Sequence, residues 1–283
     1  MKMSIFGFLT VVSILVGCGY SPETLSELEI ANGKVISESQ YPAVVQLFRK
    51  VYVNGRRKGA ALCTGTWIAE DLILTAAHCT GDTISDDKGR IHNLEMYVVE
   101  VTDHQAKPKT SRLITTVTAS WREKSWEKTK GSNRFDLAIL QTAPKRVSER
   151  SRRAAAISRL PVKRNSNVTL VGYGYHNITR LAGKGDDRKR VGYNTVDAVR
   201  RGFIEISGRS KDKVAGGDGQ DANAGQGDSG GPLFHDGFIV GVASSGGTSG
   251  LFGKGSSSYV DLHSEASRAF LSNFQARYMN HTD

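Results

Sequence analysis

The chain has little cysteine, three residues in 283, and nowhere do its Cys, His and acidic residues fall at the spacing of a zinc site. It has no visible internal repeat, which excludes a solenoid or a propeller of sequence-similar blades. Aromatic residues do not interleave with its basic clusters, so a base-stacking nucleic-acid surface is not expected. Helical periodicity is almost absent; its one clear instance is last, where Ser264 can cap a segment carrying Ala266, Phe270, Phe274 and Tyr278 at four-residue steps. What is there is β-sheet patterning. Short runs rich in Val, Ile, Thr and Leu recur between glycine and polar turns, at 43–48, 72–76, 136–141, 167–173, 238–243 and 258–262. An all-β protein, barrels or a sandwich, with a terminal helix lying on it is predicted. At 39% hydrophobic, the chain is long enough for one large domain or two small cores sharing an interface, and so to bury a catalytic site.

The N-terminus, MKMSIFGFLTVVSILVGC, has a basic Lys2, an apolar run from Ile5 to Val16 and a small residue before Cys18. That is the grammar of a signal peptide over 1–17, not of a spanning helix, and it predicts export. Leu15-Val16-Gly17-Cys18 resembles the lipobox of bacterial lipoproteins, which implies a lipidated Cys18, membrane anchorage and a location in the bacterial envelope or, after release, outside it. If Cys18 carries lipid, Cys63 and Cys79 remain as an even pair suited to an oxidising compartment. A bridge between them closes a short loop and contributes about 3 kcal/mol on chain-entropy grounds. Residues 18–29 form an acidic tether with Glu23, Glu27 and Glu29, and its loss makes a chain of net charge +10 more positive still. The positive charge clusters in Lys145–Arg164, Arg188–Arg190 and Arg200–Arg201, which reads as a solvated basic face in preference to a dedicated polyanion site.

The stretch GQGDSGGPL, Gly225 to Leu233, sets an acidic residue and Ser229 among four glycines. It is either a surface turn, in which Gly supplies φ > 0 cheaply, or a nucleophile whose neighbouring N–H groups must converge on one small volume. Upstream, ALCTGTWIAEDLILTAAHC puts His78 after an apolar strand and beside Cys79. Between them, FDLAIL places Asp136 in an apolar run, where it is either hydrogen-bonded or wet at a strand end. Singly, none of the three decides.

Together, in the order His, Asp, Ser, they do. Thr75-Ala76-Ala77-His78-Cys79, Asp136-Leu137-Ala138-Ile139-Leu140 and Gly227-Asp228-Ser229-Gly230-Gly231-Pro232 resemble the three signature motifs of the trypsin-like, chymotrypsin-fold serine proteases. Ile30-Ala31-Asn32-Gly33 resembles the mature start of that family, Tyr41-Pro42 its turn into the first strand, and Gly172-Tyr173-Gly174 the strand opening its second half. The resemblance covers 30–283. It implies two antiparallel six-stranded β-barrels, about 30–145 and 160–262, with the active site between them and a C-terminal helix over about 264–279. It further implies a serine endopeptidase with Ser229 as nucleophile, His78 as general base and acid, Asp136 as orienting carboxylate, and the N–H groups of Gly227 and Ser229 as oxyanion hole. Asp228 pairs in the family with the new ammonium released at Ile30. Protein or peptide substrates, a monomer, no cofactor, no metal and no nucleic-acid partner are expected.

The chain departs from the family in its primary specificity pocket. Asn223 stands at the floor, six residues before Ser229, where trypsins carry an aspartate. Ser244, Gly246 and Ser257 are expected on the walls, with Asp221 close enough in sequence to restore a preference for basic residues; otherwise medium-sized uncharged residues are favoured. Gly225 replaces a pocket cysteine. The bond before Ile30 follows Glu29, so either a glutamate-selective protease activates the enzyme or the domain works, or idles, uncleaved. The alternative to a protease is a silent trypsin-fold lipoprotein that binds anionic partners.

Overall fold

A computed structural model describes residues 30–53, 56–80, 83–85, 91–103, 110–129, 133–143, 154–174, 188–209, 212–214, 216–249 and 254–279. Cys18, Glu29 and the whole Lys145–Arg153 run lie outside the described residues. The strands are β1 (Lys34–Val35), β2 (Val44–Val53), β3 (Arg56–Trp67), β4 (Leu72–Thr75), β5 (Thr83–Ser85), β6 (Ile91–Asp103), β7 (Thr110–Arg122), β8 (Ala138–Thr142), β9 (Asn167–Gly172), β10 (Arg190–Thr195), β11 (Ala198–Arg200), β12 (Phe203–Arg209), β13 (Pro232–His235), β14 (Phe238–Ser249) and β15 (Lys254–Asp261). A short helix α1 (Lys124–Thr129) and a C-terminal helix α2 (Glu265–Met279) complete the order.

The all-β expectation holds, in two antiparallel sheets. In the first, the order β2-β3-β4-β8-β7-β6 is closed by a second pairing of β2 with β6, so these strands form a ring on which β5 hangs at the edge of β6. Leu47, Trp67, Ile73, Leu74, Val98, Ile139 and Leu140 are buried in its core. The second sheet runs β1-β10-β9-β13-β14-β15-β12-β11. It curls until β10 approaches β12, where the side chain of Asn194 donates to the Ser207 carbonyl at 3.0 Å and the Ala222 carbonyl at 2.7 Å. The expected six strands are found in each sheet, β2-β3-β4-β8-β7-β6 and β10-β9-β13-β14-β15-β12, and among the described residues the sheets count seven and eight in all. The extra ones are short edge pieces, including β1, which lies ahead of the first ring in sequence but pairs with β10 of the second sheet.

One apolar cluster spans the two sheets: Val44, Leu47 and Ile73 from the first meet Val171, Tyr173, Phe234 and Ile239 from the second. A double-sided burden of this kind explains why β2 opens on an unbroken buried run, Val44-Val45-Gln46-Leu47, with no alternation. Helix α2 starts as its sequence requires. Ser264 Oγ accepts the Ser267 N–H at 3.2 Å, a side-chain N-cap. Phe274 then packs edge-on against Trp121 at 5.2 Å, and Tyr278 donates to Asp71 at about 3 Å, binding the C-terminus back onto the first sheet.

The basic run at Arg188–Arg190 departs from the solvated reading, because Lys189 and Arg190 are buried. The Lys189 ammonium is caged by the carbonyls of Glu38, Gln40 and Tyr41 at 3.1, 3.2 and 3.3 Å and by the Glu38 carboxylate at 3.3 Å. Such a shell replaces the water a buried cation loses.

Candidate active site

His78 sits in a 3₁₀ turn, Ala77–Cys79, just beyond β4, and Asp136 lies just ahead of β8. Strands β4 and β8 are antiparallel partners with Thr75 opposite Ala138, so the end of one ladder brings the two residues together. Asp136 is fully buried. Its Oδ2 lies 2.6 Å from His78 Nδ1, its Oδ1 accepts the His78 main-chain N–H at 2.8 Å, and Ser244 Oγ donates to Oδ2 at 2.6 Å. The carboxylate is thus hydrogen-bonded and not wet. Three donors in a dry site hold it as an acceptor aimed at one imidazole nitrogen.

Ser229 is fastened to both sheets. Its carbonyl accepts the Thr64 N–H at 2.8 Å and lies 3.5 Å from Cys79 Sγ, next to His78. The following Gly230 donates to the Ala243 carbonyl at 2.8 Å, and Ala243 donates to Gly231 at 2.8 Å. Since Ser244 comes next along β14 and reaches Asp136, a continuous set of bonds links the serine turn to the carboxylate. Gly227 has φ +94°, a region that favours glycine. Among the described residues the N–H groups of Gly227 and Ser229 find no acceptor, which leaves both donors for a ligand.

Behind the turn, Asp228 is buried and accepts from the N–H groups of Gly174 and Gly225, both at 2.9 Å, and from the Ile30 N–H. Desolvation pushes its carboxyl up to about 6, against the opposing pull of these donors and of the Arg190 charge. Cys63 and Cys79 are disulfide-bonded, with Cα atoms 6.2 Å apart, pinning β3 to the His78 turn. Their sulfurs and a His78 nitrogen lie within 4.8 Å of one another, but the bridge leaves no thiolate to ligate a metal.

Of the expected pocket, Asn223, Ser257 and Gly246 come together. Asn223 exchanges main-chain bonds with Ala31 at 2.8 and 3.2 Å, its Oδ1 accepts from Ser257 Oγ, and Ser257 is the cross-strand partner of Gly246. Ser244 does not spend its hydroxyl on the pocket wall; that group belongs to Asp136. Asp221 is no hidden counter-charge, since its side chain is 66% exposed and faces Arg209 at 3.7 Å. Sequence reasoning missed Ser244 as an Asp136 donor, and it missed Arg49, which donates from Nη1 to the His78 carbonyl at 3.2 Å. Nothing in the spacing of either residue announces the contact.

Comparison with known proteins agrees with this fold. The sequence model of the family Trypsin matches residues 30–262. Trypsin, alkaline C, of Manduca sexta is 23% identical over 232 residues, 76% of this chain and 80% of the relative. A solved structure, a Glu endopeptidase in complex with MPD, superposes with a TM-score of 0.54 at 17% identity, over 86% of this chain and 95% of its own, a likeness of fold. The chain belongs to the trypsin family and is a serine endopeptidase.

Proposed function

We propose that the chain hydrolyses peptide bonds through an acyl-enzyme formed on Ser229. The observation that carries this reading is the buried Asp136 on His78 Nδ1 at 2.6 Å. A carboxylate acceptor there keeps the proton on Nδ1 and leaves Nε2 to act as base. In the first half-reaction Ser229 Oγ attacks the scissile carbonyl carbon while its proton passes to His78 Nε2. The oxyanion is held by the free N–H groups of Gly227 and Ser229, each donor contributing about 3 kcal/mol to transition-state stabilisation. Collapse breaks the C–N bond, and His78 returns the proton to the leaving amine. Water then repeats the sequence on the ester, and the acid product leaves.

Asn223 and Ser257 give the pocket a neutral, hydrogen-bonding floor, so medium-sized uncharged side chains are favoured before the cleaved bond over Arg and Lys, whose charge would be stranded there. The leader adds export through a signal peptide over 1–17 and anchorage through a lipidated Cys18. No helix among the described residues is long and apolar enough to cross a membrane. Steady-state hydrolysis of a peptide library by the exported protein tests the reading. Ser229→Ala and His78→Ala should each lower turnover by several orders of magnitude with the fold intact; a wild-type rate in either would overturn it, and a profile dominated by Arg or Lys would overturn the pocket assignment.

A further inference from the structure

Three buried groups meet on one face of the β9–β10 pair. Arg190 and Gly172 are cross-strand partners, and such partners project to the same face of a sheet. Gly172 has no side chain, and the space its Cβ would take is filled by Oδ1 of Asp228. The Arg190 side chain therefore leaves the sheet on the face where the Asp228 carboxylate lies. Gly192, two residues along and on the same face, would place a Cβ 3.0 Å from Cγ2 of Ile30. Ile30, Asp228 and Arg190 are 1%, 2% and 1% exposed.

In the chain as translated, the Ile30 nitrogen is joined to Glu29. It offers Asp228 one neutral N–H and no charge. A buried carboxylate held only by neutral donors is heavily penalised, and a cation on the same face offsets part of that penalty. The segment after Ile30 is docked by hydrogen bonds that need no free N-terminus. Ala31 pairs with Asn223. Asn32, buried at φ +63°, accepts the Lys213 N–H at 2.8 Å and donates at 2.5 Å to Asp218 Oδ1 and to the Gln220 carbonyl. Val35 is itself the strand partner of Arg190.

We propose that Arg190 is a positioning residue that supplies a built-in positive charge for Asp228, ordering the Gly227–Ser229 donor turn while the residues before Ile30 are still attached. The proposal rests on the catalytic reading of that turn given above. Loss of the leader then frees the domain from its anchor and adds a second cation near a carboxylate that already has one; it does not switch catalysis on.

The test compares two forms of the purified protein, their N-termini checked by intact mass: one retaining residues 18–29, the other opening at Ile30 after release from a fusion by an added protease. The wild-type forms should agree in kcat within about tenfold. Arg190→Met should lower kcat of the leader-bearing form by about 100-fold or more, as when an oxyanion donor is misplaced. It should lower the Ile30 form by less than about tenfold, because the new ammonium replaces the missing charge. Arg190→Lys should restore the leader-bearing form. Equal losses in both forms would show a merely structural arginine and overturn the proposal. So would a wild-type leader-bearing form that gains about 100-fold or more on release, a comparison that stands even if Arg190→Met fails to fold. Failure of both wild-type forms to react with a serine-directed fluorophosphonate would instead bring down the reading of Ser229, and this proposal with it.

Discussion

Two buried aspartates near the serine turn are handled in opposite ways, and each can be separated by a single substitution. Asp136 has three donors and faces a group that must change charge during turnover. Asp136→Asn puts an amide where the imidazole and Ser244 both donate, and a loss of about 10⁴ in kcat is expected from the wrong tautomer. Ser244→Ala removes one charge-assisted bond while leaving the His78 contacts, so a smaller loss of about tenfold is expected in the same hydrolysis assay. Asp228 is held by main-chain donors, and burial raises its carboxyl from 3.8 to about 6 against their pull and that of the Arg190 charge. Between those values the folded protein holds a proton that the unfolded chain has released, so this group's contribution to stability is fully present below about pH 4 and is lost as the pH rises through 6. Denaturant midpoints should therefore move against the wild type relative to Asp228→Asn between pH 4 and 6.5; a difference independent of pH would contradict the assignment.

The elements that carry the site are short and depend on being tied. The His78 turn has three residues and no side-chain cap, and the Cys63–Cys79 bridge closes a sequence separation of 16. Cys63→Ala/Cys79→Ala should lower unfolding free energy by about 3 kcal/mol, read from the denaturant midpoint; an unchanged midpoint would mean that the neighbouring hydrogen bonds suffice. The same dependence explains what the sequence discloses and what it hides. The runs at 43–48, 72–76, 167–173, 238–243 and 258–262 fall in β2, β4, β9, β14 and β15 because a continuous apolar strand core needs no partner to be recognised. Strands β3, β6 and β7 mix Lys, Arg, Glu and Thr through their lengths and become strands by pairing with one another and with β2, which no local pattern records. Likewise β10 opens on Arg190, which sequence reasoning puts in water and tertiary structure buries on the sheet face where Asp228 lies. His78, Asp136 and Ser229 were legible from their motifs. The bond of Ser244 to Asp136 and the burial of Arg190 were not, because each depends on the register of one strand against another.

At the scale of the molecule, a closed first ring and a curled second sheet share one apolar cluster, and the residues proposed for catalysis come from both sides of that junction. His78 and Asp136 are delivered by the first sheet, while Ser229, Ser244 and the Asp228 support are delivered by the second. Reactivity of the serine is thus a property of the whole fold. The direct measurement is peptide mapping by mass spectrometry after treatment of the native protein with a fluorophosphonate. The account predicts one phosphonyl group per chain on the peptide containing Gly225–Leu233, located at Ser229, lost on denaturation before treatment and lost in His78→Ala. Labelling elsewhere, no labelling, or undiminished labelling in His78→Ala would contradict it.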